Sequence, residues 1–480
     1  MTRSSRRARV SGAALLPALA ILAPIALTAQ PTPPARSPFV SVDTPVVALT
    51  HAMLIDGTGS PAVSDQTIVI DHGLIRAVGP AGSTTVPTGA RVYDLAGKMV
   101  IPGIIGLHDH MYYGSRLTST RPMLDSYPKL FLASGITTIR TTGSIDPYQE
   151  LNLRQRIESG KTVGPEIVAT GPYLEGAGSA VGWMHPLASP DDARRTVQYW
   201  AEEGITWFKA YTQISRAELG AAIEEAHKHG IKVTAHLCSV GYREAVALGI
   251  DNLEHGLLTD TEFWPDKKPD VCPTPGDSAL YDNLDISGPD VQHTIHDMVS
   301  HHVAMTSTLA VFEVSVQTHR PIDQRVYDAL SPQIAADVRT FVDSMKKRND
   351  HAELVALQKA MQFERSFVQA GGLLGAGSDP CCLDEIAGYG DQRNYELLRE
   401  AGFSPETAVE IMTLNGARIL GFDKRTGSVT PGKQADLVVL DGDLTKRPSD
   451  IHNVTMVFRK GIGYDPVALT DAVKGKIGLR

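Results

Sequence analysis

Two histidines stand one residue apart in the stretch GLHDH, His108 and His110, directly after the apolar run KMVIPGII. A second such pair, His227 and His229, lies in HKH. Imidazole is a common ligand for Zn²⁺ and similar divalent ions, so either pair could be half of a metal site. Secondary structure separates them. In a strand, side chains at i and i+2 share one face. On a helix they lie roughly 200° apart and cannot chelate one ion. GLHDH ends a buried apolar run and reads as the end of a strand. His227 and His229 close the helical pattern SRAELGAAIEEAHKHG before Gly230. They read as cations favoured by a helix C-terminus.

The elements around the first pair say what else reaches it. Short apolar strands recur: IIGLHDH, GITTIRTTG, EIVATGPYL, GITWFKAY, KVTAHLC, NLEHGLL, VAMTSTLAV and LLGAGSDP. Helical patterns lie between most of them. Such alternation predicts a parallel sheet, and eight units predict a (β/α)₈ TIM-like barrel over 106–424. Barrel enzymes place their chemistry at the C-terminal strand ends. Lys209 ends the fourth strand, His236 the fifth, His255 the sixth and Asp379 the eighth. Four His, a Lys and an Asp at one mouth are hard to explain as core residues, because buried charge is rare unless paired or metal-bound. The residues flanking this middle, 48–105 and 425–480, have a strand-and-turn texture. They predict a small β-sandwich domain built from both chain ends.

The bulk numbers exclude some classes. The 480 residues suit a large barrel with a companion domain. A formal charge of −9, with no basic run outside the N-terminus, argues against nonspecific binding of nucleic acid or an anionic membrane. MTRSSRRAR followed by an apolar, Ala-rich stretch reads as a secretory signal peptide over 1–29. The mature chain is then expected in the periplasm or secreted, and free of the membrane. Residues 30–47 are Pro-rich and read as a linker. The cysteines, Cys238, Cys272, Cys381 and Cys382, offer no disulfide framework and read as small buried residues. Adjacent cysteines in particular pair only with strain. The expected partner is a small-molecule substrate, and a homo-oligomer is compatible with the sequence.

VIPGIIGLHDH, GITTIRTTG, FKAY, VTAHLC, NLEHG, GAGSD, LNGARILGF and GSVTPGKQADLVVLD, in this order, resemble the metal-dependent amidohydrolase superfamily. The likeness is strongest to its imidazolonepropionase-like and prolidase-like binuclear branches, and covers roughly residues 48–460. The resemblance implies a (β/α)₈ barrel with a small β-sandwich. It implies two divalent ions, Zn²⁺ being the expected metal. His108, His110 and Asp379 would hold the more buried ion, and His236 and His255 the second. Lys209 stands where binuclear members carry a carboxylated lysine that bridges the ions. The implied reaction is hydrolysis of an amide or peptide-like C–N bond by a metal-bridging hydroxide, with Asp379 moving the proton. Dipeptides and N-acyl amino acids are the expected substrates.

One departure bears on the branch. Deaminases and imidazolonepropionase usually place a Glu three residues after the fifth-strand His, where this chain has Ser239. The missing acid argues against a mononuclear deaminase. Lactone or organophosphate ester hydrolysis uses the same nucleophile and stays open, and a non-catalytic binding relative would usually have lost ligands. On the substrate side, Tyr211 or Tyr113 is a candidate oxyanion donor, His185 a candidate contact after the third strand, and Arg140 a candidate mouth cation for a substrate carboxylate. Glu175 is the alternative acid to Ser239. Asp109 and Glu254 alternate away from the interior and read as structural. The loops at 260–290 and 312–360 are expected to cap the mouth and add helices.

Overall fold

The computed structural model describes residues 37–114, 120–179, 181–273, 280–316 and 321–479. The segment read as a signal peptide lies outside them. All eight expected parallel strands are present. They are, from first to eighth, Ile104–Asp109, Ile136–Thr141, Glu166–Val168, Trp207–Ala210, Lys232–Ala235, Asn252–Glu254, Ala304–Ser307 and Leu374–Ala376. The first three pair in parallel as one arc, and the fourth to the eighth as another. Both arcs are buried almost throughout, as parallel strands covered on two faces must be. Single backbone bonds link the arcs. Gly171 donates to the Trp207 carbonyl at 3.0 Å and Leu174 to that of Lys209 at 2.9 Å, while Asp379 donates to the His108 carbonyl at 2.8 Å.

The helices between the strands begin where the sequence supplies caps. Ser215 and Glu218 form a capping box at the start of Arg216–Lys228. Ser189 caps Pro190–Glu202, and Asp146 caps Pro147–Glu158. The insertion after the seventh strand is helical, as expected, through Pro332–Met345 and His351–Gln369. No helix among the described residues is long and apolar enough to cross a membrane.

The second domain is one hydrogen-bonded sheet of nine strands drawn from both chain ends, where the sequence reading expected a sandwich. The strand Val46–Leu54 makes the continuity possible. It pairs with Val63–Asp71 along one edge and divides the other between Arg91–Asp94 and Met99–Pro102. The expected linker is also partly corrected. Val40–Val42 pairs with Ile462–Tyr464, and the next strand begins at Val46, so the chain joins the sheet before residue 48. The DHGLI hairpin forms as expected, with His72 and Gly73 both at positive φ, 47° and 82°. Two strands are shared between the domains by their two-residue period. Met99, Ile101, Val438 and Leu440 face the α/β core, while Val100, Leu437 and Val439 face the sheet's own core.

The cysteine reading fails for one pair. Cys238, just past the fifth strand, forms a disulfide with Cys272. The two lie 34 residues apart and meet only because the 260–273 segment folds back over that strand end. Closing a loop of that length stabilises by about 3–4 kcal/mol in the chain-entropy account. Cys381 and Cys382 remain thiols, partly exposed, with sulfurs 2.8 Å apart.

The join between the eighth and first strands has no spare room. A Cβ at Gly377 would stand 2.3 Å from the backbone nitrogen of His108. Gly377→Ala must therefore push the first strand, and overpacking of this kind costs about 1–3 kcal/mol. The expected result is a lower denaturant midpoint together with weaker metal uptake, read by urea unfolding and by titration with Zn²⁺. A wild-type midpoint and affinity would show that the join yields freely.

Candidate metal centre

His108 and His110 lie on one side of the first strand, as the two-residue period requires, and both are buried. The His110 Nε2 stands 3.0 Å from Asp379 Oδ1, and His108 Nε2 stands 3.7 Å from Asp379 Oδ2. One donor atom from each of these three residues falls within 4.8 Å of the others. The His255 ring lies 4.4 Å from the ring of His108 and 4.4 Å from that of His236. Lys209 closes the group, its Nζ 2.9 Å from His108 Nε2. All six residues read from the sequence as ligands are thus brought together. His227 and His229 are not. They sit exposed at a helix end, paired with Asp251 and Glu225.

Two of the six candidate ligands reach the cluster through left-handed backbone. His255 has φ 69° and Asp379 φ 56°. Such conformations cost on the order of 1–3 kcal/mol each in a non-glycine residue. At His255 the twist has a visible purpose. Strand alternation would send Glu254 inward and His255 outward, and the left-handed turn brings both inward.

The inward course of Glu254 corrects the sequence reading, which sent it away from the interior. Its Oε2 lies 2.8 Å from His108 Nδ1. Its Oε1 accepts from Asn252 at 2.9 Å, from Thr234, and from Arg140 at 2.5 Å. Arg140 is corrected with it. It is fully buried, donates to the Leu107 carbonyl at 2.7 Å and lies over the Trp207 ring, so it cannot act as a mouth cation. An Nδ1–H bond to Glu254 fixes the His108 tautomer and turns its Nε2 toward the cluster, as second-layer carboxylates do for metal-binding histidines. His255 is oriented in the same manner. Its Nδ1 meets Thr308 Oγ1 at 2.7 Å, and its Nε2 is buried with no hydrogen-bond partner.

The electrostatics match a cation's needs. Burial lowers the pKa of His108 and His255 well below the imidazole value and that of His110 to a lesser degree. Burial, with Lys209 beside it, pushes His236 down to about 3. Burial also pushes Lys209 down to about 8. Burial opposes charge on Asp379, but the hydrogen bond from His110 and the nearby Lys209 outweigh it and hold the carboxyl below its usual range. Neutral imidazoles, an ionised carboxylate and an orphaned buried Nε2 are the donor set that a divalent ion requires.

The substrate-side expectations divide. Tyr211 stands at the cluster, its ring 4.9 Å from His236. Tyr113 does not. It is buried and its hydroxyl donates to the Leu383 carbonyl at 2.9 Å, so it has no free donor to offer. The neighbouring Tyr112, missed in the sequence, stacks on His110 with centroids 4.6 Å apart. His185 is exposed and lines a side pocket with Tyr173 and Trp183, outside the ligand cluster.

The amidohydrolase family model matches residues 99–267 and 357–463, more than half of the sequence. The chain belongs to the amidohydrolase family. It is a hydrolase acting on carbon–nitrogen bonds, in a family whose members generally bind divalent metals. Enamidase of Eubacterium barkeri is 23% identical over 394 residues, covering 80% of this chain and 83% of its own. Imidazolonepropionase of Picrophilus torridus is 47% identical over 53 residues, 11% of this chain and 14% of its own. Among solved structures, a Xaa-Pro dipeptidase with bound methionine superposes with a TM-score of 0.64 at 20% identity, over 88% of this chain and 100% of that one. Phenylurea hydrolase B gives 0.64 at 20% identity, over 89% and 98%.

Three acids near the centre of this amidohydrolase are structural. Asp109 points away from the ligands, as expected, and shares the hydroxyl of Ser378 with Asp391, at 3.2 and 3.1 Å. That hydroxyl has one proton for two carboxyls, so one of them must bring its own. Burial and the Asp391 charge raise Asp109 well above its usual range, and burial pushes Asp391 up to about 7. Glu175 is fully buried and accepts from Gly176, Gln213 and Thr212 at 2.9, 2.7 and 3.2 Å. Ser239 is buried and donates to the Ile214 carbonyl at 2.5 Å.

Arg140→Met would leave the Glu254 carboxylate buried without its cation. Breaking such a pair costs about 3–5 kcal/mol. Denaturant unfolding should show that loss, and Arg140→Met combined with Glu254→Gln should recover part of it. A single variant as stable as the wild type would mean that Glu254 does not depend on Arg140.

Proposed function

We propose that the chain is a binuclear metal-dependent hydrolase that cleaves an amide or peptide-like C–N bond in a small molecule, of the dipeptide or N-acyl amino acid type. The two arcs of strands are read as one closed (β/α)₈ barrel with the cluster at its mouth. The observation that carries the reading is the convergence of His108, His110, His236, His255, Lys209 and Asp379, with His108 and His255 already turned by Glu254 and Thr308. His108, His110 and Asp379 would hold one ion, and His236 and His255 the other. Zn²⁺ suits this imidazole and carboxylate set. Two such ions supply an acidified water as nucleophile and a polarised carbonyl.

The chain's own residues supply the rest. Asp379, kept ionised beside His110, would take the proton from the attacking water and pass it to the leaving nitrogen. Tyr211 would bind at the carbonyl's edge of the site. Lys209 would carry a carboxylate formed with CO₂. Its Nζ lies 2.9 Å from His108 Nε2. An ammonium at that spot is repelled by two cations, whereas a carbamate gives them anionic oxygens. Deamination is disfavoured because Ser239 spends its hydroxyl on a backbone carbonyl and Glu175 is committed to three donors. The Cys238–Cys272 disulfide supports the expectation of a periplasmic or secreted protein.

Metal-replete protein should hydrolyse at least one of a panel of dipeptides and N-acyl amino acids faster than lactones or phosphotriesters, and should release no ammonia from adenosine, cytosine or guanine. Faster ester cleavage, or ammonia release above the amide rates, would overturn the reading. Metal analysis should approach two divalent ions per chain. Lys209→Ala should lose one of them and lower kcat by at least about 10²-fold, with partial rescue by short carboxylic acids. Full metal content and activity in that variant would remove the bridge.

A further inference from the structure

Four aromatic rings stand along one side of the ligand cluster. Tyr112 follows the first strand, Tyr173 and Trp183 follow the third, and Tyr211 follows the fourth. They form a chain of contacts with a ligand at each end. Tyr112 stacks on His110, and Tyr211 lies 4.9 Å from His236. Between them, Trp183 stands edge-on to Tyr112 at 6.0 Å and to Tyr173 at 5.4 Å, and Tyr173 stands edge-on to Tyr211 at 5.2 Å. Tyr112 and Tyr173 are nearly buried, while Trp183 at the outer end is 43% exposed. Trp183 and Tyr173 also line the side pocket that holds His185, and an open indole continuous with buried rings that reach the cluster is a surface shaped for an apolar guest.

Two of the wall's polar ends satisfy each other. The hydroxyls of Tyr112 and Tyr173 meet each other at 2.8 Å. Lys209 Nζ lies over the rings of Tyr173 and Tyr211, 5.5 and 5.6 Å from their centroids, and Tyr112 stacks on His110, so what the wall offers a guest is mainly ring edges and the exposed Trp183 indole. Among the described residues, no free lysine or arginine stands along the wall to hold a carboxylate, because Lys209 is committed to the cluster and Arg140 to Glu254. A cation would meet the positive charge of the metal ions. A neutral, flat aryl group meets neither obstacle, and it gains edge-to-face and stacked contacts with several rings at once.

We infer that this wall is a subsite for an uncharged aryl group carried beside the scissile carbonyl. The substrate class narrows to aryl-bearing amides, and Trp183 sets the preference for them. The inference rests on the reading of the cluster as an amide-hydrolysing centre, but its test reads binding, not turnover. Calorimetric titration of the metal-replete protein with 3-phenylpropionamide, butyramide and succinamate, which carries a carboxylate where the first carries its ring, should show the aryl amide binding at least about ten-fold tighter than either of the others. Trp183→Ala should remove most of that preference while leaving butyramide unchanged, and Trp183→Phe should keep it. Equal affinities in the wild type, or a preference that survives Trp183→Ala, would overturn the subsite. If the aryl preference holds and no amide is hydrolysed, the subsite stands and the hydrolase reading alone fails. If amides are hydrolysed without that preference, the subsite alone fails.

Discussion

Glu254 accepts from Arg140 on one side and faces His108 on the other, with all three side chains out of contact with water. Much of the centre depends on this arrangement. A carboxylate so deep is tolerable only because the guanidinium, Thr234 and Asn252 compensate its lost hydration. Once compensated, it supplies a fixed negative charge that orients the imidazole next to it. Arg140 is in turn held by the Leu107 carbonyl and the face of Trp207. The chain of support thus crosses the interior from the second strand to the sixth and back to the first. A ligand borne on one strand is aimed by groups on two others.

The fold meets the site's demands by local concessions. Left-handed backbone at His255 and Asp379 is unfavourable in isolation. It is held in place by paired strands on either side and, at Asp379, by the bond to the His108 carbonyl. The close approach of Gly377 to His108 serves the same end, letting the eighth strand lie against the first so that Asp379 reaches both histidines. The Ser378 hydroxyl, shared by Asp109 and Asp391, fastens the same corner from behind. Strain, close packing and buried acid thus meet at the join between the eighth and first strands.

The second domain is tied to the first by period-two patterning, and by a small cluster in which Leu132, Ala133 and Val163 meet Val457 and Tyr464. Val438 and Leu440 face one core while Leu437 and Val439 face the other. A shift of one residue in either shared strand would exchange the two sets. The sheet therefore fixes the height at which the first parallel strand begins, two residues after Pro102, and with it the position of His108.

The sequence by itself determined what depends on local period and residue type. Apolar runs marked all eight parallel strands, and helical patterns marked most of the connections between them. The i, i+2 rule separated His108 and His110 from His227 and His229. Strand-end position identified Lys209, His236, His255 and Asp379. Tertiary structure decided what depends on where a side chain turns after its strand ends. A left-handed residue is invisible in the letters, so the inward course of Glu254 could not be read. Arg140 and Tyr113 have the chemistry of substrate contacts, but partners distant in sequence, Glu254 and the Leu383 carbonyl, claim them first. Cys238 and Cys272 meet through a long loop whose path no local pattern encodes. The aromatic wall joins residues from three strand ends, of which only Tyr211 stood out in its own segment. Local propensity acts over a few residues, whereas orientation and pairing are set by contacts between segments tens to hundreds of residues apart, and only the folded chain brings those together.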